Sequence, residues 1–567
     1  MYLDHKIESF HQVLTSTEPE VLACTNQTYL HYTPFDPRDS REHKTVSPKI
    51  NVSIANNTPT CSKRCDTSPD NNNDNQSMPA EEPAQILIAG GGIVGLLLAL
   101  ALKKNLPSVA IDVYEQTHGF DPDVGAGMGL YANGLRVVRD IDPDLLKEIQ
   151  DAGYPYLYRR WERHDGTAVA EADEGVLGSG AATADEEEKN DGDGLQTMGI
   201  RRWKLQQVLH TAVAKAGIPI HFSKKVEGVE TPQDGMTEVV FADGSRRKTQ
   251  LLVGADGGRS AVRSILLEQM YPKSDPDAAT ASNVRSSSKN KKPTLSYTGV
   301  TCIMGAAPRN SHRGISFPVS NTTRCHGAFY PTGANEECFQ FHFPVGAQQD
   351  ISCSDADDSC WGNLSQQMSR QECGRLAEIL EKDGWDEDKY LAPLRQVTRA
   401  VRVGFCKLSP ALKAWSFPNA KGQPRTILVG DAAHPPVPYI GQGAQQGMED
   451  VGTLALLLKT FCLDDQGQFD LSNLHRAVHV YEKIRMPRVA SILSNAHEMG
   501  RFQQKRAENP AYNIIKEEMI QRDVFFHETM PVMFEGARHD YRNDLKRELE
   551  HIAKERGGLP LRTIAET

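Results

Sequence analysis

The chain has 567 residues, of which 39% are hydrophobic and 24% charged, with a formal net charge of −11. That length exceeds what a single hydrophobic core usually serves, so more than one domain is expected, and the composition is that of an ordinary globular chain. The acidic balance leaves no broad basic face for a phosphate backbone, which argues against nucleic-acid binding and for small-molecule chemistry.

The longest apolar run, Ile93 to Leu102, is broken by Gly95 and reaches only about half of the roughly 20 residues a bilayer requires, so no transmembrane segment is expected. Asp4, His5, Lys6 and Glu8 stand where a secretory signal needs a basic start and an apolar stretch, giving a cytoplasmic expectation. The 11 cysteines form no disulfide framework and are read as reduced thiols. Cys61 and Cys65 make a lone CxxxC without a second pair at zinc-binding spacing, so no metal site is assigned.

Residues 1–83 mix Asn, Asp, Thr, Ser and Pro without apolar periodicity and read as a disordered extension. Two further segments, 171–194 (acid- and Gly-rich) and 273–292 (Ser, Asp and Lys), read as surface insertions. Ordered structure begins at Gln85-Ile-Leu-Ile-Ala, a buried strand ending at Gly90 that leads into the apolar helix already noted. A second strand, Val109 to Tyr114, closes a βαβ unit. From Pro293 to Pro344, short apolar and aromatic runs between turn residues read as a mixed sheet, with Cys338-Phe-Gln-Phe-His-Phe at period two. After Arg425 a buried strand, Thr426 to Val429, precedes long helical stretches, so the chain returns to its first domain.

Gly90-Gly-Gly92-Ile-Val-Gly95 fits GxGxxG between a strand and a helix, where backbone amides can approach a pyrophosphate at the helix start. Glu115 ends the next strand at the distance where a carboxylate accepts hydrogen bonds from an adenosine ribose. Together they predict a dinucleotide site. Two further elements follow: Gly254-Ala-Asp256-Gly257-Gly-Arg-Ser260-Ala-Val-Arg263, then Gly430-Asp431-Ala-Ala-His434-Pro435 leading to Gly441-Gln-Gly443-Ala444-Gln-Gln-Gly447-Met-Glu-Asp450.

With these three elements in order, the sequence over roughly residues 84–500 resembles the flavoprotein aromatic hydroxylases of the para-hydroxybenzoate hydroxylase type, including the salicylate hydroxylase-like and zeaxanthin epoxidase-like branches. The resemblance implies an α/β fold: a Rossmann-type FAD-binding domain with an interleaved smaller β-sheet substrate domain and a helical carboxyl terminus. The expected segments are 84–265 and 401–500 for the FAD domain, 266–400 for the insertion loop and substrate sheet, and 501–567 for the helical end. It implies that Asp431 binds the ribityl chain and that Gly443 and Ala444 lie beside the flavin ring, with Gly90, Gly92, Gly95, Glu115 and Asp256 also contacting FAD. A helix starting near Gly443 would point its partial positive charge at the ring, where negative charge gathers on reduction.

Arg202 matches the family's arginine-xx-leucine element through its spacing to Leu205, with Arg201 as the competing assignment. Within Gly125 to Arg136, Ala126 or its glycine neighbours contact FAD. The Tyr481-Glu-x-x-Arg485-x-Pro-Arg488 run is read as a structural helix of the fold. In such enzymes NAD(P)H binds transiently, the reduced flavin uses O₂, and one oxygen atom passes to a small-molecule substrate that is hydroxylated or epoxidised; the cofactor carries the hard chemistry. Phenol hydroxylases of the family often carry an arginine after a YTG-like element. Here Met304 stands there, downstream of Tyr297-Thr-Gly299, which shifts the expected substrate toward a neutral or apolar one. Tyr330, in Phe329-Tyr-Pro331, is the candidate for hydrogen bonding to substrate or flavin. An oxidase or reductase on the same fold is the alternative, since fold does not fix function. His342 and His434 are given no acid–base role.

Overall fold

The computed structural model describes residues 84–121, 125–173, 195–272, 291–309, 314–320, 325–344, 362–397, 399–464, 466–505, 536–537 and 539–555. The amino-terminal extension, most of the two insertions and residues 506–535 lie outside them.

Strand β1 (Ile86–Ala89) leads through the glycine turn into α1 (Ile93–Asn105), and β2 (Ile111–Tyr114) pairs in parallel with β1, Ile86 opposite Ile111. This is the expected βαβ unit, with the second strand two residues shorter at its start than the apolar run suggests. Helix α1 is buried around most of its circumference, which its run of leucines and alanines permits. There follow β3 (Gly127–Leu130), α2 (Ala132–Ile141), α3 (Pro143–Ala152) and β4 (Tyr154–Pro155). Strands β5 (Tyr158–Arg163) and β6 (Ala168–Asp173) come next, then β7 (Met198–Arg201), α4 (Arg202–Lys215) and β8 (Ile220–His221). A three-stranded antiparallel unit of β9 (Val226–Glu230), β10 (Thr237–Phe241) and β11 (Arg246–Thr249) precedes β12 (Leu251–Gly254) and α5 (Ala261–Met270).

The middle of the chain supplies β13 (Thr294–Pro308), β14 (Ile315–Val319), β15 (His326–Gly333), β16 (Glu336–Pro344) and β17 (Gly362–Asn363), then α6 (Gln366–Lys382) and α7 (Ala392–Gln396). Finally come β18 (Ala400–Ser409), β19 (Ser416–Pro418), β20 (Pro424–Leu428), α8 (Gly443–Phe461), α9 (Leu474–Lys505) and α10 (Tyr541–Glu555).

Two large sheets result. The first runs β19-β20-β12-β1-β2-β8, parallel except at β19. Its central strand β12 pairs with both β1 and β20, so residues some 170 positions apart in sequence sit one strand apart. The second runs β17-β18-β13-β16-β15-β14-β5-β6 and is mixed, because β14 pairs with β5 in parallel. The interleaving is therefore deeper than segment boundaries at 265 and 400 suggest: β5 and β6 come from before that interval, and β18 reaches to Ser409. Residues 171–173, assigned from composition to an insertion, belong to β6, whose small and acidic residues suit an edge strand.

The register separates the faces of the second sheet. Ile303 and Ala307 of β13 face the core under α6 with Leu376 and Leu380. Val300 and Cys302, with Met304 beside them, face the other way, toward Val437 and Ile440 and toward Ile492, Ala496 and Met499 of α9. This inner face looks onto the first domain.

Candidate active site

The glycine turn closes under the carboxyl ends of β1 and β12. Gly90 has φ +112°, and a Cβ there would stand 2.5 Å from the Ala255 carbonyl oxygen; a Cβ on Gly95 would stand 1.9 Å from the Gly90 oxygen. Both positions exclude a side chain. Gly92 differs: a Cβ there would meet nothing within 4 Å, because Gly92 faces a cleft of about 600 Å³. Gly92 caps α1 without any side-chain hydrogen bond, and the first turn carries no acid, so the helix amides and partial positive charge are presented to a guest.

The cleft is lined by Gly90, Gly92, Glu115, Thr117, Arg202, Gln206, Lys224, Lys225, Asp256 and Arg259, among others. Glu115 accepts from the Gly91 amide at 2.7 Å and from the Thr117 amide at 2.9 Å. A carboxylate offers about four acceptor sites, so capacity remains for a diol. Tyr114 stacks on His221 and Phe241 at centroid distances of 4.4 and 4.8 Å, walling the cleft beside Glu115. Asp256 accepts from Ser260 Oγ at 2.5 Å and from the Val262 amide at 3.0 Å, so it organises the start of α5 as well as lining the cleft. Burial raises its pKa, against those hydrogen bonds.

Arg201 and Arg202 part company. Arg201 is buried in β7 and paired with Glu336 at 2.9 Å, whereas Arg202 opens α4 and lines the cleft. The Arg202 amide donates to the Ala126 carbonyl at 3.0 Å, which ties the Ala126 segment to the cleft wall. Gln206, one helical turn after Arg202, donates to the Gly91 carbonyl at 2.9 Å. Sequence reasoning passed over Gln206, although i,i+4 spacing from Arg202 was the available signal.

Asp431 sits in a short turn, Gly430–Ala432, between β20 and α8. It is exposed, yet closely enough surrounded that desolvation lifts its pKa, while the charges of His434, Arg202 and Arg263 oppose the shift. A carboxylate with two guanidinium groups and an imidazole around it is poised to accept hydrogen bonds from a polyol.

Beneath it lies a buried ionic network that sequence did not reveal. Asp450 accepts from the Gly430 amide (2.8 Å), His434 Nε2 (2.6 Å) and Arg485 Nε (2.8 Å). Glu449 accepts from Arg485 Nη1 (2.5 Å), Arg488 Nη2 (3.1 Å) and Asn133 Nδ2 (2.7 Å). Burial alone would raise the Glu449 carboxyl, but the charges of Arg485, Arg488 and His539 outweigh it and bring it down to about 2. The motif around Tyr481 to Arg488 is thus the cationic half of a clamp on the Gly430–Asp450 element.

At the start of α8, three buried amide atoms lack a partner among the described residues: Asn133 Oδ1, Gln442 Nε2 and Gln445 Oε1. Gln445 Nε2 donates to the Gly129 carbonyl of β3 at 2.7 Å, which brings the strand to the helix start. Orphaned buried polar atoms cost about 1–3 kcal/mol each unless something meets them, so this junction suits a planar polar guest.

Tyr330 is not open to such a guest. Its hydroxyl is buried, donates to the Gly127 carbonyl at 2.6 Å and accepts from Gln340 Nε2 at 2.7 Å, and burial pushes its pKa well above the ordinary value.

Residues 83–392 match the family model described as an FAD binding domain, and the chain belongs to that family. Similar curated proteins include "Aurachin C monooxygenase/isomerase" of Stigmatella aurantiaca, 27% identical over 431 residues that cover 74% of this chain and 89% of the relative. "Salicylate hydroxylase" of Pseudomonas putida is 25% identical over 442 residues, covering 74% and 86%. Among solved structures, Klebsiella pneumoniae HpxO complexed with FAD and uric acid shares the fold with a TM-score of 0.59 at 19% identity, covering 80% of this chain and 96% of that one. The protein is an FAD-dependent monooxygenase, a flavoprotein oxidoreductase with FAD as cofactor and NAD(P)H as the reductant typical of the family. Among the described residues no helix is long and apolar enough to cross a membrane.

Proposed function

We propose that this enzyme hydroxylates or epoxidises a small, neutral aromatic or unsaturated compound held against the inner face of the eight-stranded sheet. The observation that carries the substrate class is the make-up of that face. Met304, where phenol-binding relatives often place an arginine, lies opposite Gln340 and Val401, and its neighbours in the cluster are Val300, Cys302, Phe405, Val437 and Tyr439. An anionic ring would be desolvated there without a counter-charge, at a cost of several kcal/mol. The names of relatives such as salicylate hydroxylase and 3-amino-4-hydroxybenzoate 2-monooxygenase of Streptomyces platensis support an aromatic ring.

In this reading Gly90, Gly92, Gly95, Glu115 and Asp256 hold the adenosine and pyrophosphate of FAD, and Asp431 and Arg202 hold the middle of the molecule. Gly443, Ala444 and Ala126 flank the ring. Bound FAD carries electrons from NAD(P)H to dioxygen and so supplies an activated oxygen atom. The chain's own work is to orient the substrate on the sheet, to direct the α8 amino terminus at the ring edge that gains negative charge, and to exclude water. That first turn contains no acid that would cancel the helix charge.

The test is to mix purified protein anaerobically with NADPH, follow the flavin absorption, then admit ¹⁸O₂ and analyse neutral phenols and polyenes by mass. One labelled oxygen atom in a product establishes the reading. Bleaching with peroxide release and no labelled product across the panel would replace it with an oxidase or reductase. A carboxylate substrate preferred over its neutral analogue would refute the substrate class.

A further inference from the structure

Four side chains on the inner face of the second sheet are joined in one hydrogen-bonded line. His326 Nε2 and His342 Nδ1 lie 2.6 Å apart, and His342 Nε2 lies 3.3 Å from Gln340 Oε1. Gln340 Nε2 donates to Tyr330 Oη at 2.7 Å, and Tyr330 Oη donates to the Gly127 carbonyl at 2.6 Å. The register explains the alignment: His326 is opposite His342, Ala328 opposite Gln340 and Tyr330 opposite Cys338, so alternate residues of β15 and β16 share this face.

Donor and acceptor chemistry fixes the sense of the whole line. A carbonyl can only accept, so Tyr330 gives its proton to Gly127 and must itself accept from the Gln340 amide nitrogen. The Gln340 oxygen then faces His342 and can only accept, which puts a proton on His342 Nε2. Burial keeps His342 neutral, with its pKa pushed down to about 3, so its Nδ1 is an acceptor and His326 Nε2 is a donor. Every donor points toward Gly127.

Both ends touch elements of the flavin site. Gly127 follows Ala126, whose carbonyl receives the Arg202 amide on the cleft wall. At the other end Tyr439, in the loop between Asp431 and Gly443, packs on both imidazoles with centroids 6.0 Å away. The geometry points to a positioning network: the line His326–His342–Gln340–Tyr330 sets the spacing between the substrate-bearing sheet and the Gly127 strand, and thereby commits reduced flavin to substrate oxygenation over peroxide release. This rests on the monooxygenase reading above and adds Gln340, His342 and Tyr330 to it as positioning residues.

Among the described residues, other ionisable groups around the line include Tyr439 on the imidazoles and Tyr156, whose ring centroid lies 6.4 Å from that of Tyr330. Cys302 and Cys338 flank it on the same face with thiol pKa values raised by burial, Cys338 to about 12. Tyr131 lies near Tyr330, and Arg201 and Glu336, near the Cys338 end, are paired with each other.

The test uses the full-length holoenzyme carrying Gln340→Met and Gln340→Glu, with Tyr330→Phe as the alternative should Gln340→Met not fold. The measured quantity is product formed per NADPH oxidised, with peroxide counted, from pH 6 to 9. Gln340→Met removes both bonds at similar volume and should lower the ratio at least about fivefold at every pH, the factor that loss of one ordinary hydrogen bond already represents. Gln340→Glu should match the wild type where its carboxyl is protonated, since an acid can both accept and donate, and should fall to the Met level once ionised. A flat, wild-type ratio in both variants overturns the proposal. Histidine ¹⁵N NMR of the holoenzyme gives a readout that needs no substrate: His342 should be protonated on Nε2 and bare on Nδ1 above pH 5, and the opposite tautomer also overturns it. A wild-type enzyme that yields no oxygenated product would refute the monooxygenase reading alone and leave the tautomer to decide the line.

Discussion

Replacing Arg485 with alanine tests the buried clamp under the candidate flavin site. Arg485 is fully buried and donates to Asp450, to Glu449 and to both the backbone and side-chain oxygens of Gln446. Its removal leaves two carboxylates, each 0% exposed, with Arg488 as the remaining arginine partner and the imidazoles of His434 and His539 beside them. Breaking a buried pair by deleting one partner costs about 3–5 kcal/mol. For a chain of 567 residues, at ~2.1 cal/mol/K of unfolding entropy per residue, this corresponds to a fall in Tm of about 3–4 °C.

The pH sign is fixed as well. Glu449 titrates near 2 and Asp450 below its usual range, so the clamp contributes stability above pH 4–5 that disappears on acidification. Arg485→Ala should therefore be most destabilised at pH 8 and approach the wild type only as pH falls toward about 2, where the wild-type Glu449 carboxyl is itself protonated. Because Asp450 also holds the Gly430 amide and His434, the variant should bind FAD more weakly. Thermal melts at pH 8 and pH 3, with FAD content read by absorption at pH 8, measure all three effects. A Tm within about 1 °C of the wild type at pH 8 would refute the argument that these charges depend on Arg485.

Asp431→Ala should fold with wild-type far-ultraviolet circular dichroism yet retain little FAD after gel filtration; normal flavin content would remove Asp431 from the site. Gly92→Ala and Gly95→Ala should separate binding from folding. The first meets no protein atom and should melt like the apo wild type while binding FAD more weakly, whereas the second collides with the Gly90 carbonyl and should lower the Tm of the apoprotein itself. His342, held neutral down to about pH 3 against 6.5 in the unfolded chain, takes up its proton only on unfolding, so stability declines as pH falls below 6.5. By pH 4.5 this amounts to about 2–3 kcal/mol, at 1.36 kcal/mol per unit, and His342→Asn should lose less Tm between pH 7 and 4.5 than the wild type does.

The sequence by itself determined the elements whose physics is local. A glycine turn between a strand and a helix, an acid at the end of the following strand and an apolar run buried on both sides are all written within some thirty consecutive residues, because steric exclusion at Gly90 and Gly95 and the burial of a parallel strand act over short range. The order of the three flavin elements likewise marked the family. What tertiary structure decided was which distant residues meet. That β12 would pair with both β1 and β20, that β5 and β6 would complete the sheet of β13 to β16, and that Glu449, Asp450, Arg485 and Arg488 would share one buried site depends on non-local packing that leaves no period in the sequence. The same holds for the two tyrosine and arginine choices. Arg201 and Arg202 are neighbours in sequence, and only the turn from β7 into α4 sends one to Glu336 and the other to the cleft. Tyr330 reads from sequence either as a candidate for hydrogen bonding to substrate or flavin or as a half-buried sheet tyrosine; the antiparallel register of β15 against β16, together with the approach of β3, engages its hydroxyl with Gln340 and Gly127.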